Sequence, residues 1–393
     1  MQKQTTARLH RNVQFIYEQA LAEQELESFG IEYFSTDRRD PWAFRFNGHG
    51  DTDGLLRRSA YFATVNGEDS VYKRLILPAY QGGRYNITRS VNQYLTHWIY
   101  PYKGKFHPQM VRALLNILGV RPGHRVLDPF LGSGTTAVEA MLLGIDVVGI
   151  DVSPLCVLIS RVKTSAWKHC KEIAEFVDSG TRPGEDCDRG VGDFFVLADM
   201  VTESDVAVRK RDKESSHRRN LTKMLKSITD MASAKEELRL NFGSVSVVEG
   251  NIMNMNEVGI EDSSIDAVVT SPPYSIALDY VKNDAHALRA MGYDTNSIRE
   301  RFIGVRGRRR DRFQLYNQDM QLAFREMGRV LRSGGVAVII IGDVSDGKEV
   351  TTTEEMKSWG EPFGLRYDRD MRKIVFGLYN VITDEKLLFF RKV

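Results

Sequence analysis

Cysteine is scarce in this chain: there are three in 393 residues, Cys156, Cys170 and Cys187, and none falls in a CxxC or Cys/His spacing. An odd, scattered set argues against a disulfide framework and against a zinc centre, and it suits a reducing compartment. Long apolar runs are missing too. The longest, Val336 to Ile341, is far too short to span a bilayer, and the opening MQKQTTARLHRN leads into no apolar stretch, so a soluble, cytoplasmic protein without a membrane partner is expected. The eight histidines are scattered, with no HExxH or paired-ligand spacing, and no metal is expected. A large excess of either charge is also absent: 54 Lys and Arg face 52 Asp and Glu. Any nucleic-acid surface must therefore come from local clustering, not from overall charge.

What is present is enough apolar residue, 42%, for one large α/β core with a small extra domain or long insertions. Residues 1–95 form an N-terminal extension, a candidate for substrate recognition. It carries an amphipathic helix in NVQFIYEQALAEQELESFGI and then the Gly/Asp/Arg-rich DRRDPWAFRFNGHGDTDGLLRR, which has no clean periodicity. Over residues 96–393 the pattern turns regular. HPQMVRALLNILGV predicts a helix, HRVLDPF a strand, TTAVEAMLLG a helix and DVVGID a strand, the βαβ alternation of a parallel sheet. A further helix follows from about Pro154. Residues 179–241 then turn polar and read as a helical insertion poor in apolar faces, a second candidate for target recognition. The sheet pattern resumes with SVSVVEGN, IDAVVTSPPY, the helix FQLYNQDMQLAFREMGRVLRSGG with a glycine stop, the strand VAVIIIGD, and a closing pair, LRYDRDMRKIV and EKLLFFRKV. Seven strands result, with a glycine loop after the first and a proline turn after the fourth.

These two loops carry the chemistry. Gly132, Gly134 and Ala137 fit G-x-G-x-x-G/A, and Asp151 ends the next strand about 20 residues on, where an acid takes ribose hydroxyls. The glycines alone fit a nicotinamide dinucleotide or S-adenosylmethionine. Asp128 at the tip of the first strand favours a cationic ligand, since a pyrophosphate would be repelled there. In the second loop, Ser271-Pro272-Pro273-Tyr274 ends a strand in a stiff turn, because proline cannot donate to the ladder and fixes its own φ.

DPFLGSGTT followed by TSPPY resembles the amino-methyltransferases that modify exocyclic nitrogens of DNA bases, over roughly residues 100–393, and YPYKGKFHPQMVRALL resembles the segment before their first motif. The resemblance implies a class I methyltransferase fold: a Rossmann-like, mixed seven-stranded sheet with helices on both faces. It implies S-adenosylmethionine as cofactor, held by Asp128, Pro129, Phe130, Gly132, Ser133, Gly134, Thr135 and Thr136. Asp151 and Val152 would lie at the ribose, Asn251 and Ile252 beside the adenine, and Phe106 near the methionine end.

An aromatic amine is a poor nucleophile because its lone pair is delocalised. Two acceptors on its N–H bonds, the Ser271 hydroxyl and the Pro272 carbonyl, would localise that pair for in-line attack. Pro273 restricts Pro272 to an extended ψ, and Tyr274 would stack on a base flipped from the duplex. No cysteine adjoins the prolines, which counts against a covalent C5-cytosine mechanism. Serine in the first motif position is associated with N4 of cytosine in the family. N6 of adenine in DNA, or N2 of guanine in RNA, stays open. The expected partner is DNA, with RNA as the alternative, and a paired restriction endonuclease is a further partner that the resemblance admits. For the phosphate backbone the preferred residues are Arg306, Arg308, Arg309, Arg310 and Arg312, ahead of the more mixed charge run Arg209 to Lys226.

Overall fold

The computed structural model describes residues 4–34, 40–76, 93–274, 279–308, 311–345, 350–351, 353–374 and 384–393. Five short strands come first: β1 (Gln4–Leu9), β2 (Tyr33–Phe34), β3 (Ala43–Asn47), β4 (Phe62–Val65) and β5 (Glu68–Asp69). They form an antiparallel sheet in the order β2-β3-β1-β4-β5. The stretch without periodicity thus holds a strand, in which Phe44 and Phe46 alternate inward, and a helix, Thr52–Arg58, that starts where the Asp51 carboxylate accepts from the Gly54 N–H at 2.8 Å.

The main sheet contains β6 (Arg125–Asp128), β7 (Asp146–Asp151), β8 (Val245–Glu249), β9 (Ile265–Thr270), β10 (Leu331–Gly342), β13 (Leu365–Ile374) and β14 (Asp384–Lys392). β11 (Val344–Ser345) and β12 (Val350–Thr351), two residues each, form a separate antiparallel pair. The order is β13-β14-β10-β9-β6-β7-β8, with the pairs from β8 to β10 parallel and β14 antiparallel to both its neighbours. This is the mixed seven-stranded sheet of the class I methyltransferases.

Both faces of the sheet are dry, which explains the near-continuous apolar strands. Val126, Val147, Ala267, Val269, Val338 and Leu387 face one core, shared with the helices Pro108–Ile117 and Thr135–Leu142 and with the N-terminal sheet. Their neighbours Leu127, Val148, Val268, Ile339 and Leu388 face the other, under the helix Arg312–Val330. The N-terminal unit is also tied to the first core by a polar clasp. Glu25, fully buried, accepts from the N–H groups of Ala60 and Tyr61 and from Asn116 Nδ2 at 2.7 Å.

Two expectations about elements need correction. The helix Arg312–Val330 does not run to a glycine stop: Leu331 is already extended, at φ −70° and ψ 132°, and opens β10. The glycines lie inside a strand irregularity between Leu331 and Val336, where Gly334 takes φ +78°. Nor is the insertion poor in apolar faces. The helix Arg189–Arg209 buries Val191, Phe194, Phe195, Ala198 and Val201 along one stripe. This stripe, with Met224 and Ile228 of the helix Lys213–Glu237, makes a separate core against Leu155, Leu158 and Ile159 of the helix Pro154–Ser165.

The order in which the chain adds strands to the main sheet reverses between the parallel neighbours β6 and β9. From β6 the sequence steps outward through β7 and β8 on one side and through β9 and β10 on the other. Ligands in open α/β sheets sit outside the carboxyl ends of the strands at such a switch point. The glycine loop leaves β6 and the proline turn leaves β9, so adjacent strands deliver both to one crevice.

Candidate active site

A pocket with about 740 Å³ of open space occupies that crevice. From the glycine loop it is lined by Pro129, Phe130, Gly132, Ser133 and Thr135. Asp151 and Val152 come from the end of β7, Asn251 and Ile252 from the segment after β8, and Ser271 and Pro273 from the proline turn, with Phe106 closing the side. The sequence reading thus names residues from five segments that the fold gathers around one cavity.

Several of the named residues stand behind its wall. Asp128 is 1% exposed; its Oδ1 accepts from the Thr270 hydroxyl at 2.6 Å and from the Phe130 N–H at 3.2 Å. Burial pushes its pKa up to about 6 against those hydrogen bonds. The carboxyl therefore joins the last residue of β6 to the last of β9, directly before Ser271, instead of opening onto the pocket. Thr136 is buried nearby, its hydroxyl 3.5 Å from the Val269 carbonyl. Gly134 takes φ +75° at the start of the helix Thr135–Leu142, and a Cβ there would come within 2.6 Å of Ser160 Oγ and 3.2 Å of Ser160 Cα. Gly134→Ala should strain the loop and push it off the helix Pro154–Ser165, which carries Ser160, weakening cofactor binding by about tenfold without unfolding the protein. Cofactor titration beside a far-ultraviolet circular dichroism spectrum checks this.

Asp151 braces the loop from the next strand. Its Oδ2 accepts from the Gly132 N–H at 2.8 Å and its Oδ1 from the Ser153 N–H at 2.8 Å. Burial raises its pKa to about 7, and the neighbouring Asp128 adds to the shift. Asn251 has both ends of its amide engaged, Oδ1 by the Met253 N–H and Nδ2 by the Arg301 carbonyl at 3.3 Å.

In the proline turn, Pro272 is buried, while Ser271 and Pro273 are partly exposed toward the pocket. Tyr274 points elsewhere: its phenol donates to Glu385 Oε1 of β14 at 2.7 Å, and Glu385 is paired in turn with Lys373 of β13. Burial, with the Glu385 charge beside it, raises the Tyr274 pKa strongly. The ring does not line the cavity.

Sequence reasoning missed an aromatic ladder on the opposite wall. Tyr102 stacks on Tyr280 with centroids 6.2 Å apart, and Tyr280 stacks on Phe302 at 6.0 Å. All three line the pocket. Gly104, at φ +73°, lets the chain pass Tyr280, whose hydroxyl would lie 2.9 Å from a Cβ. Tyr102 sits within the quoted stretch before the first motif, but its stacking on Tyr280 depends on segments far apart in the chain.

The arginines named for the backbone divide. Arg306 makes a two-pronged ion pair with Asp319, which is 1% exposed. It is therefore a structural strut of the segment entering the helix Arg312–Val330, not a free phosphate ligand. Arg308 is exposed and Arg312 half-buried. Arg309 and Arg310 lie outside the described residues.

The family model described as UPF0020, RMKL-like, methyltransferase domain, matches residues 99–295, half of the chain. The chain belongs to this family of S-adenosylmethionine-dependent methyltransferases. The methyltransferase domain is also similar to Type II methyltransferase M.MjaII of Methanocaldococcus jannaschii, 34% identical over 142 residues, which are 36% of this chain and 26% of that protein. Type II methyltransferase M.BsoBI of Geobacillus stearothermophilus is 24% identical over 283 residues, covering 53% and 55%. A shorter match, 45% over 51 residues, covering 13% and 15%, is to a tRNA (guanine(10)-N2)-dimethyltransferase of Methanothermobacter thermautotrophicus. The methyltransferase thus spans about a quarter and about half the length of the first two relatives.

The cavity fits this cofactor. Thr135 Oγ1 lies buried at the pocket wall without a hydrogen-bond partner, a polar atom that a bound ligand would satisfy. Asp151 offers a carboxylate, and Phe130, Val152 and Ile252 supply apolar surface for a flat base. Among the described residues no helix is long and apolar enough to cross a membrane.

Proposed function

We infer that this methyltransferase modifies the exocyclic amine of a base in DNA, with N4 of cytosine as the target atom. One observation carries the reading: Ser271 and Pro273 open into the same cavity as the glycine loop and Asp151, so a hydrogen-bond acceptor for an amine lies in the cofactor's own pocket. The Type II methyltransferases among the relatives support a DNA substrate, and serine at the first position of the turn supports cytosine.

When bound, S-adenosylmethionine supplies an electrophilic methyl group. The chain's own residues do the rest. The Ser271 hydroxyl accepts a hydrogen bond from the substrate amine, and the Pro272 carbonyl is the second acceptor. Pro273 stiffens the turn so that neither has to reorganise during the reaction. The aromatic wall of Tyr102, Tyr280 and Phe302 provides faces for a base extruded from its stack, a role that sequence reasoning assigns to Tyr274.

The test is to express the protein in a host free of DNA methylation and to quantify methylated nucleosides in DNA and in RNA by mass spectrometry. N4-methylcytosine in DNA is the expected result. N6-methyladenine in DNA would replace the target base, and N2-methylguanine confined to RNA, in line with the shorter tRNA methyltransferase match, would overturn the DNA assignment.

A further inference from the structure

The two helices of the insertion, Arg189–Arg209 and Lys213–Glu237, meet at a tight turn where Lys210 takes φ +55°. Beside it the buried carboxylate of Asp205, 1% exposed, holds three guanidinium groups. Arg209 Nη1 lies at 2.6 Å, Arg211 Nη1 at 3.1 Å and Arg219 Nη2 at 2.9 Å. Asn220 Nδ2 adds a fourth contact to the same carboxylate at 3.3 Å. Some ion pairs on these helices match one charge with one, as in Lys213 with Glu203, Arg218 with Glu214 and Lys226 with Asp230, and Asp193 takes two arginines, Arg161 and Arg189. Here three cations share a single anion. Each arginine side chain stays 36 to 47% exposed, and a guanidinium has five N–H donors, of which Asp205 takes few.

The same residues line a groove with about 540 Å³ of open space. Lys223 adds a fourth positive charge, and Asp205 is the sole acid among the described residues that line it. The opposite wall is the segment Trp98, Ile99 and Pro101, with the Trp98 indole 48% exposed. This segment runs straight on into Tyr102, Gly104, Lys105 and Phe106, which wall the catalytic pocket. One short length of chain therefore contributes to the lining of both the cationic groove and the methyl-transfer site.

We propose that this groove binds the phosphodiester backbone of the substrate DNA, with Arg209, Arg211, Arg219 and Lys223 as its phosphate ligands and Trp98 as a flat rim for sugar or base faces. It rests on the reading of the pocket as a DNA methyltransferase site. Asp205 is a positioning residue: it gathers the guanidinium groups, and its single charge leaves the cluster strongly positive. A planar fork with donors to spare is the geometry that phosphate oxygens accept in pairs. The sequence favoured the run after the catalytic turn, but there Arg306 is balanced by Asp319, whereas the insertion carries uncompensated charge.

The experiment uses the full chain, a fluorescein-labelled mixed-sequence DNA duplex and an RNA of the same sequence, with anisotropy measured over a range of salt. In the double variant Arg211→Ala, Lys223→Ala the duplex should bind about tenfold or more weakly at 0.1 M salt, and the slope of log affinity against log salt should fall by about 1.8, two phosphate contacts at about 0.9 each. Affinity for S-adenosylmethionine should stay at the wild-type value, and the KM for DNA should rise. The swap Arg211→Lys, Lys223→Arg should keep the wild-type slope. A double alanine variant with wild-type affinity and slope would overturn the groove. So would a loss that the charge-keeping swap reproduces, since packing and not charge would then be at issue. Tighter, groove-dependent binding of the RNA would overturn the DNA assignment. If the wild-type protein methylates DNA while the double variant is unaffected, the groove fails and the activity stands. If duplex binding depends on the groove but no nucleoside becomes methylated, the activity reading fails and the groove stands.

Discussion

Ser271→Ala is expected to lower kcat by about 10²- to 10³-fold, the loss found when one preorganised hydrogen bond to a reacting group is removed, while cofactor affinity stays unchanged. Ser271 sits at the carboxyl end of β9 with its side chain at the pocket, and what fixes its backbone lies elsewhere: Pro272 and Pro273 on one side, Thr270 held by Asp128 on the other. Deleting the hydroxyl should leave that frame intact. Single-turnover rates at saturating DNA, beside calorimetric titration with S-adenosylmethionine, separate the two effects. An alanine variant with wild-type kcat would remove the acceptor role from the turn.

Cofactor affinity should fall about tenfold for each pH unit below about 7 and level off above it. Asp151 titrates near 7 because burial penalises its charge, and ribose hydroxyls donate best to the ionised carboxylate, so below that pH binding must first expel a proton. The same shift acts on folding with the opposite sense. Asp151 is held protonated in the folded chain up to about pH 7 but ionises near 3.8 when unfolded. Its contribution to stability is present in full below about pH 4 and is lost as pH rises through about 7. Asp151→Asn should flatten the pH profile of binding. It should also weaken binding about 10- to 100-fold, because two loop N–H groups use both carboxylate oxygens and an amide offers one acceptor, at a cost of roughly 1–3 kcal/mol for the N–H left unpaired. Titrations at several pH values with both proteins check the prediction, and an unchanged slope in the variant would assign the proton to another group.

The central strands were legible in the sequence because both faces of the sheet are buried, so β6, β7, β9 and β10 are apolar runs between glycines, prolines and helix patterns. The pocket was legible where its residues lie in contiguous loops, as with Gly132 to Thr135 and Ser271 to Pro273. Features made by distant segments were not. The ladder of Tyr102, Tyr280 and Phe302 joins three separated stretches, and the pairing of Arg306 with Asp319 depends on how one loop folds back on its helix. Asp128 reads as a ligand because it ends a strand beside a glycine loop; its partner Thr270 comes from another strand. In the insertion, the high content of charged residues hides the apolar stripe of the helix Arg189–Arg209, since both occupy the same 21 residues on different faces.

The hydrogen bond between Asp128 and Thr270 spans 142 positions of sequence and 2.6 Å of space. It pins the cofactor strand to the catalytic strand at the edge where both open, so the two motifs form a single rigid part whose halves are manufactured separately. The route the chain takes between them, through two further strands and the whole insertion, is wiring. A chain that delivered the proline turn first and the glycine loop second would assemble the same part, because neighbouring strands, not the reading order of the polypeptide, define it.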